Sequence, residues 1–108
     1  MSFSPKTENL TQELINAEYL NAVVNHGEKF NSLHEGYAIL LEVVEETRDS
    51  LSRMHSNFHE LWNNIKDNNK EDMQMFSKIM LDDVIDTISE LAQVGAVLQK
   101  IKNTLEVL

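Results

Sequence analysis

Apolar residues along this chain recur at intervals of three and four with almost no alternation, a pattern that predicts helices and no strands. Three such stretches stand out. The first carries Leu10, Leu14, Ala17 and Val24 at helical spacing and opens at Ser4-Pro5, an N-cap followed by proline at the first helical position. It is expected to run from Pro5 or Thr7 to Asn25, with His26-Gly27 ending it, because glycine is the usual residue just past a helix C-terminus. Residues 1 to about 6 read as a loose N-terminus.

The second stretch starts at Ser32-Leu-His-Glu35. This is the capping-box pattern, in which the serine hydroxyl bonds the amide three residues on and the glutamate reaches back. A helix from about Leu33 to about Lys66 follows, with two interleaved heptad series. One is Tyr37, Val44, Leu51, Phe58 and Ile65; the other is Leu33, Leu40, Thr47, Met54 and Leu61. Thr47 alone is polar, so the pattern predicts a coiled-coil-like seam. Asp67-Asn68-Asn69 makes the turn. A third helix from about Lys70 to near the C-terminus has its seam at Leu81, Val84, Ile88, Leu91, Gly95, Leu98 and Leu105, with Gly95 allowing a close helix approach. The expected fold is all-α, a single domain over 1–108. It has three main helices, the last two forming a long antiparallel hairpin.

The second helix changes character midway. Up to Glu46 it is apolar on several sides, since Ala38, Ile39, Leu41 and Val43 lie off the seam; beyond Thr47 it is apolar mainly on the seam. The first half should therefore be covered by more than one neighbour, and residues about 47–82 should project as a two-helix arm. A helix of this length spans about 50 Å, too long for a compact monomer of this size. A dimeric or tetrameric helical bundle that shares core between chains is expected.

Composition supports this picture. Three glycines and one proline leave little material for tight turns and favour long helices. The absence of cysteine excludes disulfides and thiolate metal sites and fits a reducing cytoplasm. No apolar run approaches the length needed to span a bilayer, and Met1-Ser-Phe-Ser-Pro-Lys6 has no apolar signal core, so a cytoplasmic location without a membrane partner is expected. The formal net charge of −9 argues against direct nucleic-acid binding, which needs clustered Lys and Arg. It is compatible with a divalent cation bridging carboxylates to phosphates.

The acids fall in a pattern. Glu35, Glu42, Glu45 and Glu46 lie on the second helix, and Asp82, Asp83, Asp86 and Glu90 on the third. Glu42 is three residues from Glu45 and four from Glu46, so they share a helical face, where like charges repel unless a cation or arginine neutralises them. Ile39 shares that face, which suggests partial burial, and burying carboxylates without a partner is costly. Folding the chain back near Asn68 levels Glu45 with Ala92 and Glu46 with Leu91. That favours Glu90, then Asp86, over Asp83 as partners. The plainer reading of the same stripe is a solvated face opposite the seam. His55 and His59, four apart, read as exposed residues of the arm without a third metal ligand.

Asn31-Ser-Leu-His-Glu-Gly-Tyr-Ala-Ile-Leu-Leu-Glu-Val-Val-Glu-Glu46 resembles the opening motif of phage and prophage MazG-like proteins, and Glu90-Leu-Ala-Gln-Val-Gly-Ala-Val-Leu-Gln-Lys100 resembles their second block. The resemblance spans roughly residues 26 to 102. The wider superfamily of all-α nucleotide pyrophosphohydrolases has Glu-x-x-Glu on one helix and Glu-x-x-Asp on the next, acids that bind Mg²⁺. Glu42-Val-Val-Glu45 matches the first motif. Glu90-Leu-Ala-Gln93 departs from the second by Gln93, with Asp83-Val-Ile-Asp86 as an alternative, and the intervening segment is longer than usual. The resemblance implies an Mg²⁺-dependent nucleoside triphosphate pyrophosphohydrolase, with Mn²⁺ as a substitute ion. Glu42, Glu45, Asp86 and Glu90 would hold the metal, Glu46 would orient the attacking water, and Lys29, His34 and Lys100 would contact phosphate. The competing expectation is a non-catalytic structural or regulatory helical protein of phage origin that binds a protein partner through the arm.

Overall fold

The computed structural model describes residues 4–108. Among them are three α-helices and no strand: α1 Pro5–His26, α2 Leu33–Lys66 and α3 Lys70–Glu106. A side-chain cap starts each. Ser4 Oγ accepts from the Thr7 amide at 3.2 Å, Ser32 Oγ from Glu35 at 3.1 Å, and Asn69 Oδ1 from Asp72 at 3.1 Å. Of the expected loose N-terminus, residues 1–3 lie outside the described residues, while Pro5 and Lys6 are already helical behind the Ser4 cap. Only half of the capping box forms at α2. The Glu35 carboxylate takes the Asn31 side-chain amide at 3.1 Å instead of the Ser32 backbone amide. α1 stops at Gly27, whose φ of +84° suits a residue without Cβ. The α2–α3 turn uses Asn68 at φ +55°, a conformation asparagine tolerates better than most residues.

α2 and α3 pack antiparallel. Gly36 lies against Ile101, Ser50 bonds Glu90, and Asn57 bonds Asp83. The residue numbers of these pairs sum to 137–140, so Glu45 lies level with the turn from Ala92 to Gly95, between the sequence expectation and one helical turn beyond it.

The inward rows also differ from expectation. On α2 they are Leu40, Thr47, Met54 and Leu61, interleaved with Gly36, Val43, Ser50, Asn57 and Asn64. On α3 they are Met73, Met80, Thr87, Val94 and Ile101, interleaved with Phe76, Asp83, Glu90, Val97 and Thr104. One expected α2 series thus lies at the seam beyond Leu33, and the other, Tyr37 to Ile65, faces out together with Leu81, Val84, Ile88, Leu91, Leu98 and Leu105 of α3. Adjacent apolar rows let a helix rotate by one row. Here the row of small and hydrogen-bonding residues wins, because Gly36 admits Phe30 and Ile101, and because Ser50 and Asn57 find carboxylate partners across the seam. Buried Thr47 and Thr87 satisfy their hydroxyls on the carbonyls of Val43 and Asp83, one turn back in each helix.

α1 lies on α3 alone and makes no close backbone approach to α2. It meets α3 over the small residues Ala92, Gly95 and Ala96, with Ile15 seated on Gly95 and Tyr19 Oη accepting from Asn103 Nδ2 at 2.6 Å. The face expected to pack (Leu10, Leu14, Ala17, Val24) points to solvent, while Ile15, Tyr19, Ala22 and Val23 are half-buried. The helix has apolar residues all round, so its sequence periodicity selects no face. Among the described residues the buried apolar ones are Phe30, Ala92 and Ala96. The chain measures 59 × 31 × 26 Å, and its radius of gyration is 17.8 Å, against about 13 Å for a compact domain of this length.

Candidate functional site

Because α1 and α2 both rest on α3 but not on each other, a cleft opens between them with α3 as its floor. Its volume is about 580 Å³, within the range of small-molecule sites. Glu18, Asn21 and Asn25 of α1 form one wall, spaced three and four apart so that they line one helical face. Glu35, Ile39 and Val43 of α2 form the other. Gln93, Ala96, Val97 and Lys100 make the floor, and Phe30 lines the same cavity beside Lys100.

Lys100 is the distinctive group. Only 7% of it is exposed, and its Nζ lies 4.4 Å from the centre of the Phe30 ring. Its hydrogen-bond acceptor is the His26 carbonyl, at a long 3.5 Å. An ammonium has three donors, so donor capacity is left for a ligand once the His26 carbonyl and the Phe30 ring face are served. The loop that shapes this end is held by Thr104. Its Oγ1 accepts the Phe30 amide at 2.9 Å and donates to the Lys100 carbonyl at 2.9 Å.

The sequence-predicted acids take different positions. Glu42 and Glu46 continue the Glu35–Ile39 stripe of α2 at helical spacing, beyond the cleft, and both are exposed. Glu45 is also exposed but lies about 100° round the helix from Glu46. Asp86 is exposed and stands two turns before Gln93 on the stripe that leads to Lys100. Glu90 is half-buried and faces the hairpin seam, where Ser50 Oγ donates to its Oε2 at 2.5 Å and Arg53 donates to Ser50 Oγ at 2.8 Å. Asp83, the alternative partner, is buried and takes Asn57 Nδ2 at 2.8 Å. Lys29 and His34 are exposed and do not line the cleft, whereas Lys100 does. Among the described residues no three His, Asp or Glu side chains converge closely enough to cage a metal.

Two features escaped the sequence reading. The polar wall from α1 was signalled only by the spacing of Glu18, Asn21 and Asn25, within a helix whose apolar pattern had no clear face. Gln93, read as a departure from an acidic motif, is on the floor of the cleft.

No family model matches this chain, and no curated protein or solved structure matches it. No helix among the described residues is long and apolar enough to cross a membrane.

Proposed function

We propose that this chain is a MazG-like nucleoside triphosphate pyrophosphohydrolase that places its substrate along the α1–α2 cleft. The observation that carries the reading is the buried ammonium of Lys100, with unused donors, at the floor of a cleft whose α2 wall runs on into Glu42 and Glu46. A triphosphate needs a cationic contact inside the protein and carboxylates outside it for a divalent ion, and the two lie on one side of the hairpin. The resemblance of the segments 31–46 and 90–100 to MazG-like proteins supports the same reading.

The carboxylates suit an open Mg²⁺ site better than a cage. Mg²⁺ takes one or two protein carboxylates and keeps its other positions for water and phosphate, which is what exposed Glu42 and Glu46 at i, i+4 offer. Glu45 would be a reserve ligand, and Asp86 a more distant one, about 8–12 Å along α3 from the level of Glu46. Glu90 would contribute through its other oxygen, since Oε2 is engaged by Ser50. When bound, the ion neutralises triphosphate charge and activates a water. Lys100 donates to a phosphate oxygen, and Gln93 offers an amide to the same chain of phosphates. Glu46 accepts a proton as water adds to the α-phosphorus. The bond from that phosphorus to the bridging oxygen breaks, giving nucleoside monophosphate and pyrophosphate.

Pyrophosphate release from a panel of canonical and modified (deoxy)nucleoside triphosphates, with Mg²⁺ or Mn²⁺ and beside a Glu42→Ala control, tests the reading. Metal-dependent release lost in the control is expected. No release across the panel from folded protein would overturn it. The second reading, a non-catalytic helical protein that docks a partner through its arm, is favoured by one observation: Phe58, Trp62 and Leu81, which lie beyond α1, are all more than half exposed.

A further inference from the structure

The arm carries a histidine pair that the cleft does not use. His55 and His59 lie four residues apart on α2, on the side turned away from the seam residues Met54, Asn57 and Leu61, and this spacing puts both rings on one strip of the helix. Their Nε2 atoms are 3.2 Å apart. The ring centres are 4.6 Å apart and the ring planes 84° apart, so the rings meet edge-on and do not stack. Both residues are exposed, which leaves each ring free to turn about its Cβ–Cγ bond.

That separation is a chelating distance. A late first-row divalent ion such as Zn²⁺ binds imidazole nitrogen at about 2.0–2.1 Å, so two nitrogens 3.2 Å apart subtend about 100–106° at the ion, close to the tetrahedral angle. In the free chain one Nε2–H donates to the other Nε2, which requires one ring in each tautomer. With an ion bound, both Nε2 lone pairs face the metal and both protons sit on Nδ1, so one ring changes tautomer and no net proton is released. The surroundings favour a cation. The chain has a net charge of −9. The bases that flank the pair in sequence are turned to other partners: Arg53 donates to Ser50, and Lys66 lies over the Trp62 ring at 5.7 Å. Ser52, Ser56 and Asn63, each one turn from one of the histidines, are neutral.

We infer that His55 and His59 form a two-histidine site on the arm for a late first-row divalent ion of the class of Zn²⁺, Ni²⁺ and Cu²⁺, with water in the remaining positions. Imidazole selects these ions over Mg²⁺, which takes oxygen ligands and dehydrates reluctantly. The site is separate from the carboxylates, because His55 stands about 13 Å beyond Glu46 along α2. Two protein ligands make it open, in keeping with the lack of a three-residue cage among the described residues. The inference stands on the geometry of this helical turn and does not depend on the catalytic reading.

Zn²⁺ alone is the probe, titrated calorimetrically into the tag-free chain with Mg²⁺ in excess so that carboxylate sites are already filled. The chain has no cysteine to compete for the ion. One Zn²⁺ per chain is expected, and the ring proton resonances of His55 and His59 should shift together. His55→Gln and His59→Gln should each weaken binding about 100-fold, because the second imidazole of a linked pair acts at high effective concentration. The double variant His59→Asn with Glu60→His keeps two imidazoles but turns one by about 100° round the helix, and should lose as much. All these positions are exposed, so circular dichroism should be unchanged. A wild-type chain without a one-to-one Zn²⁺ site would overturn the proposal and leave the pair as a hydrogen bond between histidines. So would Zn²⁺ binding that survives in the double variant, which would place the ion on carboxylates.

Discussion

Ser50 Oγ and Glu90 Oε2 meet at 2.5 Å in the middle of the hairpin seam, with Ser50 fully buried and held from its other side by Arg53. The contact helps set the register of α2 against α3, because it gives the half-buried carboxylate a donor across the seam. It engages Oε2 of Glu90 and leaves Oε1 for the candidate site.

Two substitutions separate these roles. Ser50→Ala leaves a half-buried carboxylate without its donor and should lower stability by about 1.5–3 kcal/mol, the worth of a hydrogen bond to a charged group. Glu90→Gln keeps an acceptor for Ser50, so its thermal midpoint should stay near wild type while Mg²⁺-dependent turnover falls. Chemical denaturation beside pyrophosphate release measures both. Equal loss of stability in the two variants would remove the distinction.

Gly95 sets how closely α1 can lie. A Cβ there would stand 2.9–3.0 Å from three side-chain carbons of Ile15. Gly95→Ala should therefore lift α1 from α3 and weaken that contact by about 1–3 kcal/mol, the usual cost of overpacking. Amide exchange should rise across α1 while residues 47–82 of the hairpin keep their protection. Uniform loss of protection would instead show that α1 and the hairpin unfold together.

Helix number and ends, and the caps at Ser4 and Ser32, could be read from the sequence because they rest on local chemistry; Asn69, read as part of the turn, also caps α3. Ser4-Pro5, Ser32 and Asn69 act through neighbours within three residues. The seam could not be read the same way. α2 offers three adjacent rows with heptad spacing, and a rule that ranks rows by hydrophobicity selects Tyr37–Ile65 over Gly36–Asn64. The winning row depends on Glu90, Asp83, Phe30 and Ile101, residues far away in sequence. The candidate site divides similarly. The acidic stripe of α2 was legible from residue type and spacing and Lys100 was named only alongside the family resemblance, whereas the α1 wall arises only when α1 packs on α3.

Lys100→Met keeps the aliphatic stem and removes the charge. The stem packs beside Phe30 in the cleft, so helicity should be preserved. Under the pyrophosphohydrolase reading the variant should raise KM for the triphosphate about tenfold or more, the loss of a charge-assisted hydrogen bond. Lys29→Met, from an exposed position outside the cleft, should change KM less than twofold. Steady-state kinetics on the pair decides whether the cleft, and not the start of α2, receives the phosphates.

Asn64 closes the seam near the α2–α3 turn with its Nδ2 buried and without a hydrogen-bond partner. A buried donor left unpaired costs about 1–3 kcal/mol, which an apolar side chain of similar shape does not incur. Its seam neighbours on α2, Leu61 and Ser50 to Asn57, leave Asn64 as the polar member closest to the hairpin tip, and Met73 and Phe76 begin the facing rows of α3. Asn64→Leu should therefore raise stability by about 1 kcal/mol, moving the denaturation midpoint upward at unchanged slope. The turn itself should be unaffected, because it is held by the Asn64 carbonyl, which accepts from the Asn69 amide at 3.0 Å whatever the side chain. A destabilised Asn64→Leu would overturn this and mean that the side-chain amide is satisfied in solution.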